Sequence, residues 1–355
     1  MMEQALFILI NVVFNVSIWL ILSLSLNIEV GFANISQFGR LAAALVGSLA
    51  VGGIIGRVAA LLAGQPIDER FVEDNAYVIT AVNSYLSQHP LISVLLLVLA
   101  LVTAVLLGAL IGVAMILPAV RLSEAYLGIT LLSIAEVLRT FLYNYDPIIG
   151  GTRGVSVPAF LQFLNDYSTP ITLALMVLMA ITSFAVAEAI SRSPLGRAMR
   201  AIRDSEVAAE VYGRDVMKIK IYTVMIGSAM AALAGALYTI FTGSSYANDY
   251  SRFTWTFLPW AYIMLGGVGN NVGVSLAVIV MSILRSFIQI YKHELASYLL
   301  NIDPSWLEYI IIGLIIILIT LFRPQGMIPE KPVFTLPRGR IEEIRKRVLE
   351  EKESF

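Results

Sequence analysis

Long apolar runs separated by short polar breaks dominate the chain. A run of roughly 17 to 25 apolar residues spans a bilayer as a helix, and such runs lie at 5–27, 41–63, 91–117, 122–143, 170–191, 219–243 and 305–322. Between the last two, residues 255–268 and 272–290 are apolar but divided by "LGGVGNNVG", which reads as a tight connection between two shorter membrane helices. The pattern predicts an all-α polytopic integral membrane protein of about nine transmembrane helices, including one glycine-broken helix pair.

Composition agrees with the pattern. Hydrophobic residues make up 58% of 355 and charged residues 14%, against about 25% charged in a soluble domain, and mean hydropathy is +0.81. A net charge of −1 gives no reason to expect a nucleic-acid partner. Absence of cysteine excludes disulfides, thiolate metal sites and cysteine catalysis. The opening "MMEQ" supplies no basic n-region, and no Lys or Arg precedes Arg40, so the first run is expected to be a retained span rather than a cleaved signal.

Charge asymmetry predicts orientation, because Lys and Arg concentrate in short cytoplasmic loops. Arg192, Arg197, Arg200, Arg203, Arg214, Lys218 and Lys220 crowd the loop 192–220, and Arg338, Arg340, Arg345, Lys346 and Arg347 the tail. The loop 64–90 holds Asp68, Glu69, Glu73 and Asp74 against Arg70 and belongs on the outer face. Nine spans with the N-terminus outside and the C-terminus cytoplasmic satisfy all three assignments. Small residues recur at spacing four in Ser48/Gly52/Gly56, Gly227/Ala231/Gly235 and Gly108/Gly112, which permits close helix packing in lipid but is also common in any membrane helix.

Candidate chemistry concentrates in "AYLGITLLSIAEVLRTFLYNYDPIIGGTRGV", residues 125–155. Glu136 and Arg139, spaced i, i+3, share one helix face and can neutralise each other. A charge at mid-bilayer costs roughly 2.5 to 3.5 kcal/mol, so the pair either lines the bundle interior or a cavity, or lies near a helix end and snorkels to the interface. Asp146-Pro147 ends the helix, and Gly150, Gly151 and Gly154 allow backbone conformations closed to other residues. Gly266, Gly267, Gly269 and Gly273 around Asn270 and Asn271 repeat that character. Two glycine-broken segments point to a translocation site between half-helices, although ordinary turns look alike in sequence.

These residues also carry a resemblance. The run "RLSEAYLGITLLSIAEVLRTFLYN", followed by "GGTRGV", resembles the permeases of the branched-chain amino-acid importers of the ATP-binding cassette class, in the branch called LivM. "SPLGRAMRAIRDSEVAAEVYGRDVMKIKIYTVMIGSAMAALAGALY" is similar to their cytoplasmic loop and following helix, "LGGVGNNVG" to their Leu-Gly-Gly-x-Gly turn, and "LFRPQGMIP" to their Phe-Arg-Pro-x-Gly ending. The four blocks stand in family order from residue 121 to 329. Residues 1–120 fit less well: where the family has Ser-x-Gly-His-Ala, this chain has "ISQFGRLAAALVG", with Arg40 in place of the histidine. The departure leaves the solute open among branched-chain amino acids, urea, short-chain amides and other small polar solutes.

The resemblance implies a permease domain over 1–322, with an ATPase-coupling loop within 192–220 and a cytoplasmic amphipathic tail over 323–355. Gly196, Arg197, Arg200, Ala208, Ala209 and Gly213 are the coupling-loop candidates it implies, and Glu136, Arg139, Gly150, Gly151, Gly154, Gly266, Gly267 and Gly269 are the translocation-pathway candidates. Residues 196–213 are expected to form one short helix with a small-residue face, capped by Gly213. Glu206 stands one position before the family's glutamate, where this chain has Val207. In the tail, Ile341, Ile344, Val348 and Leu349 share a face, and Glu342 pairs with Lys346 at i, i+4. That helix would lie on lipid or on an ATPase, or extend into solvent.

No phosphate-binding loop is encoded, since none of the lysines follows a glycine. Energy must come from separate ATPase subunits or an ion gradient. His89 and His293, both expected in outer loops, make no metal-binding pattern, and G-x-S-x-G is absent, so no enzyme activity, metal or cofactor is expected. The expected partners are two ATPase subunits, a second permease that is a paralogue, an extracytoplasmic solute-binding protein and the lipid of the cell membrane. The competing reading is a secondary transporter or channel that uses Glu136 as an ion or proton site.

Overall fold

The computed structural model describes residues 2–119, 121–298, 304–323, 325–330 and 339–340. The predicted apolar runs all coincide with helices. In chain order these are α1 (Met2–Leu26), α2 (Arg40–Leu49), α3 (Gly56–Leu62), α4 (Arg70–Glu73), α5 (Asn75–Gln88), α6 (Pro90–Ala119), α7 (Glu124–Asn144) and α8 (Asp146–Ile149). They continue as α9 (Ser168–Arg192), α10 (Pro194–Asp204), α11 (Glu206–Val211), α12 (Val216–Thr242), α13 (Leu258–Gly266), α14 (Asn271–Tyr298) and α15 (Pro304–Phe322). Strands β1 (Val155–Ser156) and β2 (Ser244–Ser245) pair antiparallel.

Among the described residues, seven helical stretches are long and apolar enough to cross a membrane. α13 has only nine residues, too short to cross alone, and follows a π-helical segment Phe253–Phe257. α14, by contrast, runs for 28 residues and is not a short half-helix. It also takes in position 293, so His293 belongs to a helix rather than an outer loop. The acidic stretch 64–90 is likewise largely helical, through α4 and α5. The predicted tail helix lies outside the described residues from position 341 onward.

α12 is the central helix. Gly235 abuts the backbone of Ala44 on α2, and Gly47 of α2 abuts Ala232, so that a Cβ on either glycine would stand 1.9 Å from a carbonyl oxygen. Gly108 and Gly112 of α6 face Ala232 and Ser228 in the same way. The glycine and alanine stripes of α6 and α12 are therefore contact faces, and α2 meets α12 through Ala44 and Gly47 and through Ser48, whose hydroxyl accepts from Thr239 at 2.7 Å. Close approach of this kind replaces the hydrophobic drive that lipid does not supply.

Hydrogen bonds divide the connections between two ends of the bundle. At one end the Ser156 amide donates to Asn75 Oδ1 (2.6 Å), Ser93 donates to the Phe160 carbonyl, and β1 meets β2. At the other end the amides of Met327 and Ile328 donate to the carbonyls of Leu265 (2.8 Å) and Gly266 (3.0 Å), beside the basic loop.

Candidate functional site

Only two charged residues stand between Glu3 and Arg57, namely Glu29 and Arg40, and the fold brings them together. α1 passes into a π-helical segment, Asn27–Gly31, and beyond a last helical turn at Phe32 and Ala33 residues 34–39 leave helical geometry until α2 begins at Arg40. Asn34 takes a left-handed φ of 52°. Arg40 Nη2 donates to Glu29 Oε2 at 2.7 Å, and both side chains are 0% exposed. Gly227 admits the carboxylate, since a Cβ there would lie 1.9 Å from Glu29 Oε1. The Gln37 carbonyl accepts from Trp260 Nε1 at 3.2 Å and its side chain accepts the Gly39 amide, which holds the broken stretch in place. Sequence reasoning passed over Glu29 because the predicted first span stops at residue 27. The available signal was the isolation of two opposite charges around a break in helical pattern.

Glu136 and Arg139 do pair, at 2.6 Å, with about a quarter of each side chain exposed (28% and 24%). Arg139 Nη1 also reaches Asn248 Oδ1 at 3.4 Å, and Arg252 Nε stands 3.9 Å from Glu136 Oε2. The pair thus lies against the segment 247–252 at the end that carries β1 and β2. A cavity of about 490 Å³ opens at that end, bordered by Glu73, Arg153, Ser156, Tyr246 and Asp249. Burial raises the Asp249 carboxyl above its usual range.

The two glycine turns stand at opposite ends. Gly150, Gly151 and Gly154 all have positive φ, of 74°, 50° and 70°. The turn is anchored by Arg57, which donates to the carbonyls of Ile148 (2.8 Å), Gly53 (2.7 Å) and Pro147. At the other end Gly267 (φ 113°) and Gly269 (φ 80°) form the turn after Gly266. Asn271 accepts from Asn27 at 2.9 Å and donates to Glu188 at 3.1 Å, so this turn joins α1, α9 and α14. Asn270 caps α14 and donates to the carbonyls of Ile328 (3.2 Å) and Pro329 (3.1 Å).

The basic loop is two helices rather than the single helix expected over 196–213. Ser205 has extended backbone (φ −164°, ψ 112°), ending α10, and its Oγ accepts the Ala208 amide to begin α11. Ser193 caps α10 at the Gly196 amide, and Asp215 caps α12 at the Lys218 amide, which holds the Asp215 carboxyl below its usual range. Gly213 follows α11 at φ 76° with open space around it. Ala209 packs inward on Ile202 and Val216, whereas Ala208 is exposed, so the two do not share one outer face. The outer surface of α11 is instead Val207, Val211 and Tyr212, exposed by 72%, 79% and 85%. Gly196 packs against the carbonyl end of α9, and Arg197 and Arg200 border a cavity of about 590 Å³ with Phe32, Glu188 and Glu330. The coupling-loop candidates and the second glycine turn therefore share one end, away from Glu136, Arg139 and the first turn.

Comparison with known proteins agrees with this architecture. A family described as branched-chain amino acid transport system, permease component, matches residues 8–320. The chain is 40% identical over 324 residues to a probable branched-chain amino acid transport permease protein LivM of Methanocaldococcus jannaschii, covering 90% of this chain and 93% of that protein. It is 27% identical over 248 residues to the high-affinity branched-chain amino acid transport system permease protein LivM of Escherichia coli (62% of this chain, 55% of that protein). LivH of the same organism is 28% identical over 160 residues, 42% of this chain and 51% of that protein. No solved structure matches the chain.

Proposed function

The chain belongs to the branched-chain amino acid permease family, and from that premise we propose that it is one membrane subunit of an ATP-driven importer carrying branched-chain amino acids into the cytoplasm. A second permease, two ATPase subunits and an extracytoplasmic binding protein complete the assembly. Residues 1–322 make the permease domain, with the N-terminus outside; residues 323–355 follow on the cytoplasmic side. Glu136, Arg139 and the first glycine turn then belong to the outer end, where the binding protein delivers solute. The basic loop and the second glycine turn face the ATPases.

One observation carries the ATP-driven reading. α11 and its C-terminal cap Tyr212 hold three large apolar side chains, Val207, Val211 and Tyr212, in solvent on a helix capped at both ends and packed on α10 and α12. A short rigid helix with an uncovered apolar face fits a groove on a partner protein, and the positive-inside bias puts this loop in the cytoplasm. The alternative of a proton-driven carrier at Glu136 has less support, because that carboxylate is already held by Arg139.

The test is leucine uptake into proteoliposomes holding the purified assembly with binding protein outside. ATP inside should drive uptake, and collapse of the proton gradient should leave it unchanged. Uptake that follows the proton gradient without ATP would move the protein into the secondary carriers.

A further inference from the structure

The Glu29–Arg40 pair is bonded incompletely. Arg40 Nη2 and Glu29 Oε2 hold each other at 2.7 Å and the Gln37 side chain stands beside the carboxylate, but Glu29 Oε1, Arg40 Nε and Arg40 Nη1 make no hydrogen bond among the described residues, although none reaches solvent. Buried charges are normally paired and have their remaining donors and acceptors met. A guanidinium and a carboxylate held side by side with free capacity on both make an uncommon arrangement. It is suited to a ligand that brings one acceptor and one donor of opposite charge.

Its position agrees. Gly227, against which Glu29 rests, lies near the middle of α12 (Val216–Thr242), so the pair sits deep in the bundle. The backbone on one side is π-helical and residues 34–39 on the other are non-helical. Irregular backbone at membrane depth is tolerated where it is buried or lines a cavity, and discontinuous helices at mid-depth are where carriers place their solute. The absent side chain at Gly227 leaves the carboxylate its room.

We propose that Glu29 and Arg40 form a recognition site for the zwitterion of an α-amino acid: the α-carboxylate accepts from Nε or Nη1 together with the second N–H of Nη2, which shares an edge with each, and the α-ammonium donates to Glu29 Oε1. This rests on the amino-acid reading above. A zwitterion enters without changing the net charge of the site, and it adds two charge-assisted contacts to the pair while meeting Glu29 Oε1 and one of the two unmet donors of Arg40. A solute with a single charge would strand Arg40 or Glu29 without a counter-charge, and a neutral amide or urea would have to compete with the ion pair. The pair stands in a buried cluster that includes Ile28, Val30, Leu41 and Val224, a setting for an apolar side chain. In the conformation described the pair is shut, so admission of solute requires Glu29 to part from Gly227.

Two measurements on the whole assembly test the site. In the first, Glu29→Gln and Arg40→Met are combined, which removes both charges with an isostere at Glu29 and an unbranched neutral side chain of closer length at Arg40. A purely structural pair tolerates that exchange, since neutral replacement of both partners is often harmless. The double variant is expected to insert and co-purify with the ATPases, yet to lose leucine uptake by about tenfold or more, the loss of at least one charge-assisted bond. Uptake within about twofold of the unmodified assembly would overturn the proposal. The second measurement needs no variant and decides the matter should the double variant fail to assemble. Radiolabelled leucine is bound to the purified assembly without binding protein and displaced by leucine, by isoamylamine, which lacks the carboxylate, or by 4-methylpentanoate, which lacks the ammonium. Each analogue is expected to compete about tenfold or more weakly than leucine. Equal competition by either, or no saturable leucine binding, would overturn the site. If the unmodified assembly carries no amino acid under ATP, the proposed function falls as well. If it carries leucine and only these tests fail, the site alone is lost.

Discussion

Glu330 Oε2 lies 2.7 Å from Arg203 Nη1, a contact between positions 127 residues apart, and the same guanidinium nitrogen donates to the Gly31 carbonyl at 2.7 Å. Glu330 Oε1 also accepts from Arg200 at 3.2 Å. Residues just before Glu330 are bonded to Leu265 and Gly266 at the second glycine turn. One carboxylate therefore ties α10 of the basic loop to the π-helical end of α1 and to the turn between α13 and α14. A displacement of α10 by a docked partner would reach Gly31, two residues from Glu29, through rigid contacts.

Replacing Glu330 by glutamine should uncouple α10 from the turn between α13 and α14. The three side chains are between 18% and 26% exposed, so solvent compensates part of the loss. A cost of about 1 to 2 kcal/mol is expected, below the full value of two charge-assisted bonds. Thermal unfolding of the purified protein should show a modestly lowered midpoint. Leucine uptake should fall further than ATPase activity, because α10 would keep its bond to Gly31 through Arg203 but lose its tie to the turn between α13 and α14. Equal loss of both would make the contact merely structural.

Glu136 and Arg139 call for a smaller effect than a desolvated pair would give. At about a quarter exposure, with Arg252 and Asn248 able to take over either partner, the coupling energy in a double-mutant cycle of Glu136→Gln and Arg139→Gln is expected near 1 kcal/mol. A coupling of about 3 to 5 kcal/mol would show that the pair is sealed from water in the working assembly.

Much of this architecture is legible from sequence because bilayer thickness converts directly into run length. The glycine turns are legible because positive φ leaves few other residues to choose from. What escapes is whatever depends on contacts between distant segments. Glu29 looks like the polar end of a span until Arg40 is seen beside it. Ala208 and Ala209 look equivalent until the break at Ser205 turns Ala209 toward Ile202 and Val216. The helices α4 and α5 rest on neighbours as well, with Asn75 and Asn83 accepting amides from Ser156 and Ala159.

The glycines of the turns divide into two kinds. Gly267 combines φ 113° with the Ile328 carbonyl at 2.2 Å from a built Cβ, and Gly151 combines φ 50° with Asp146 Oδ1 at 2.0 Å. Gly213 has φ 76° and open space. Gly213→Ala should then cost only the left-handed penalty, roughly 1 to 2 kcal/mol, and leave uptake intact. Gly267→Val and Gly151→Val must displace backbone or the Asp146 side chain and should abolish leucine uptake while membrane insertion persists. Normal uptake by both valine variants would show that the turns are plain connectors.

The basic loop offers the sharpest separation between docking and folding. Val211 and Tyr212 touch solvent over most of their surface, so Val211→Glu or Tyr212→Asp should leave the thermal midpoint of the isolated permease within about 0.5 kcal/mol of its starting stability. Ala209 is different: an arginine there would be forced among Ile202, Val216 and the α10–α12 contact, overpacking at about 1 to 3 kcal/mol or more and adding an unpaired buried charge. If α11 docks into a groove through its apolar face, the two outward variants should lose co-purification of the ATPase subunits and ATP-driven uptake at unchanged permease stability, because a desolvated charge opposes burial in the groove. Ala209→Arg should lower stability and assembly together. Co-purification that survives Val211→Glu and Tyr212→Asp would take the docking role away from α11, and the search for the ATPase contact would move to α10 and the cavity beside Arg197.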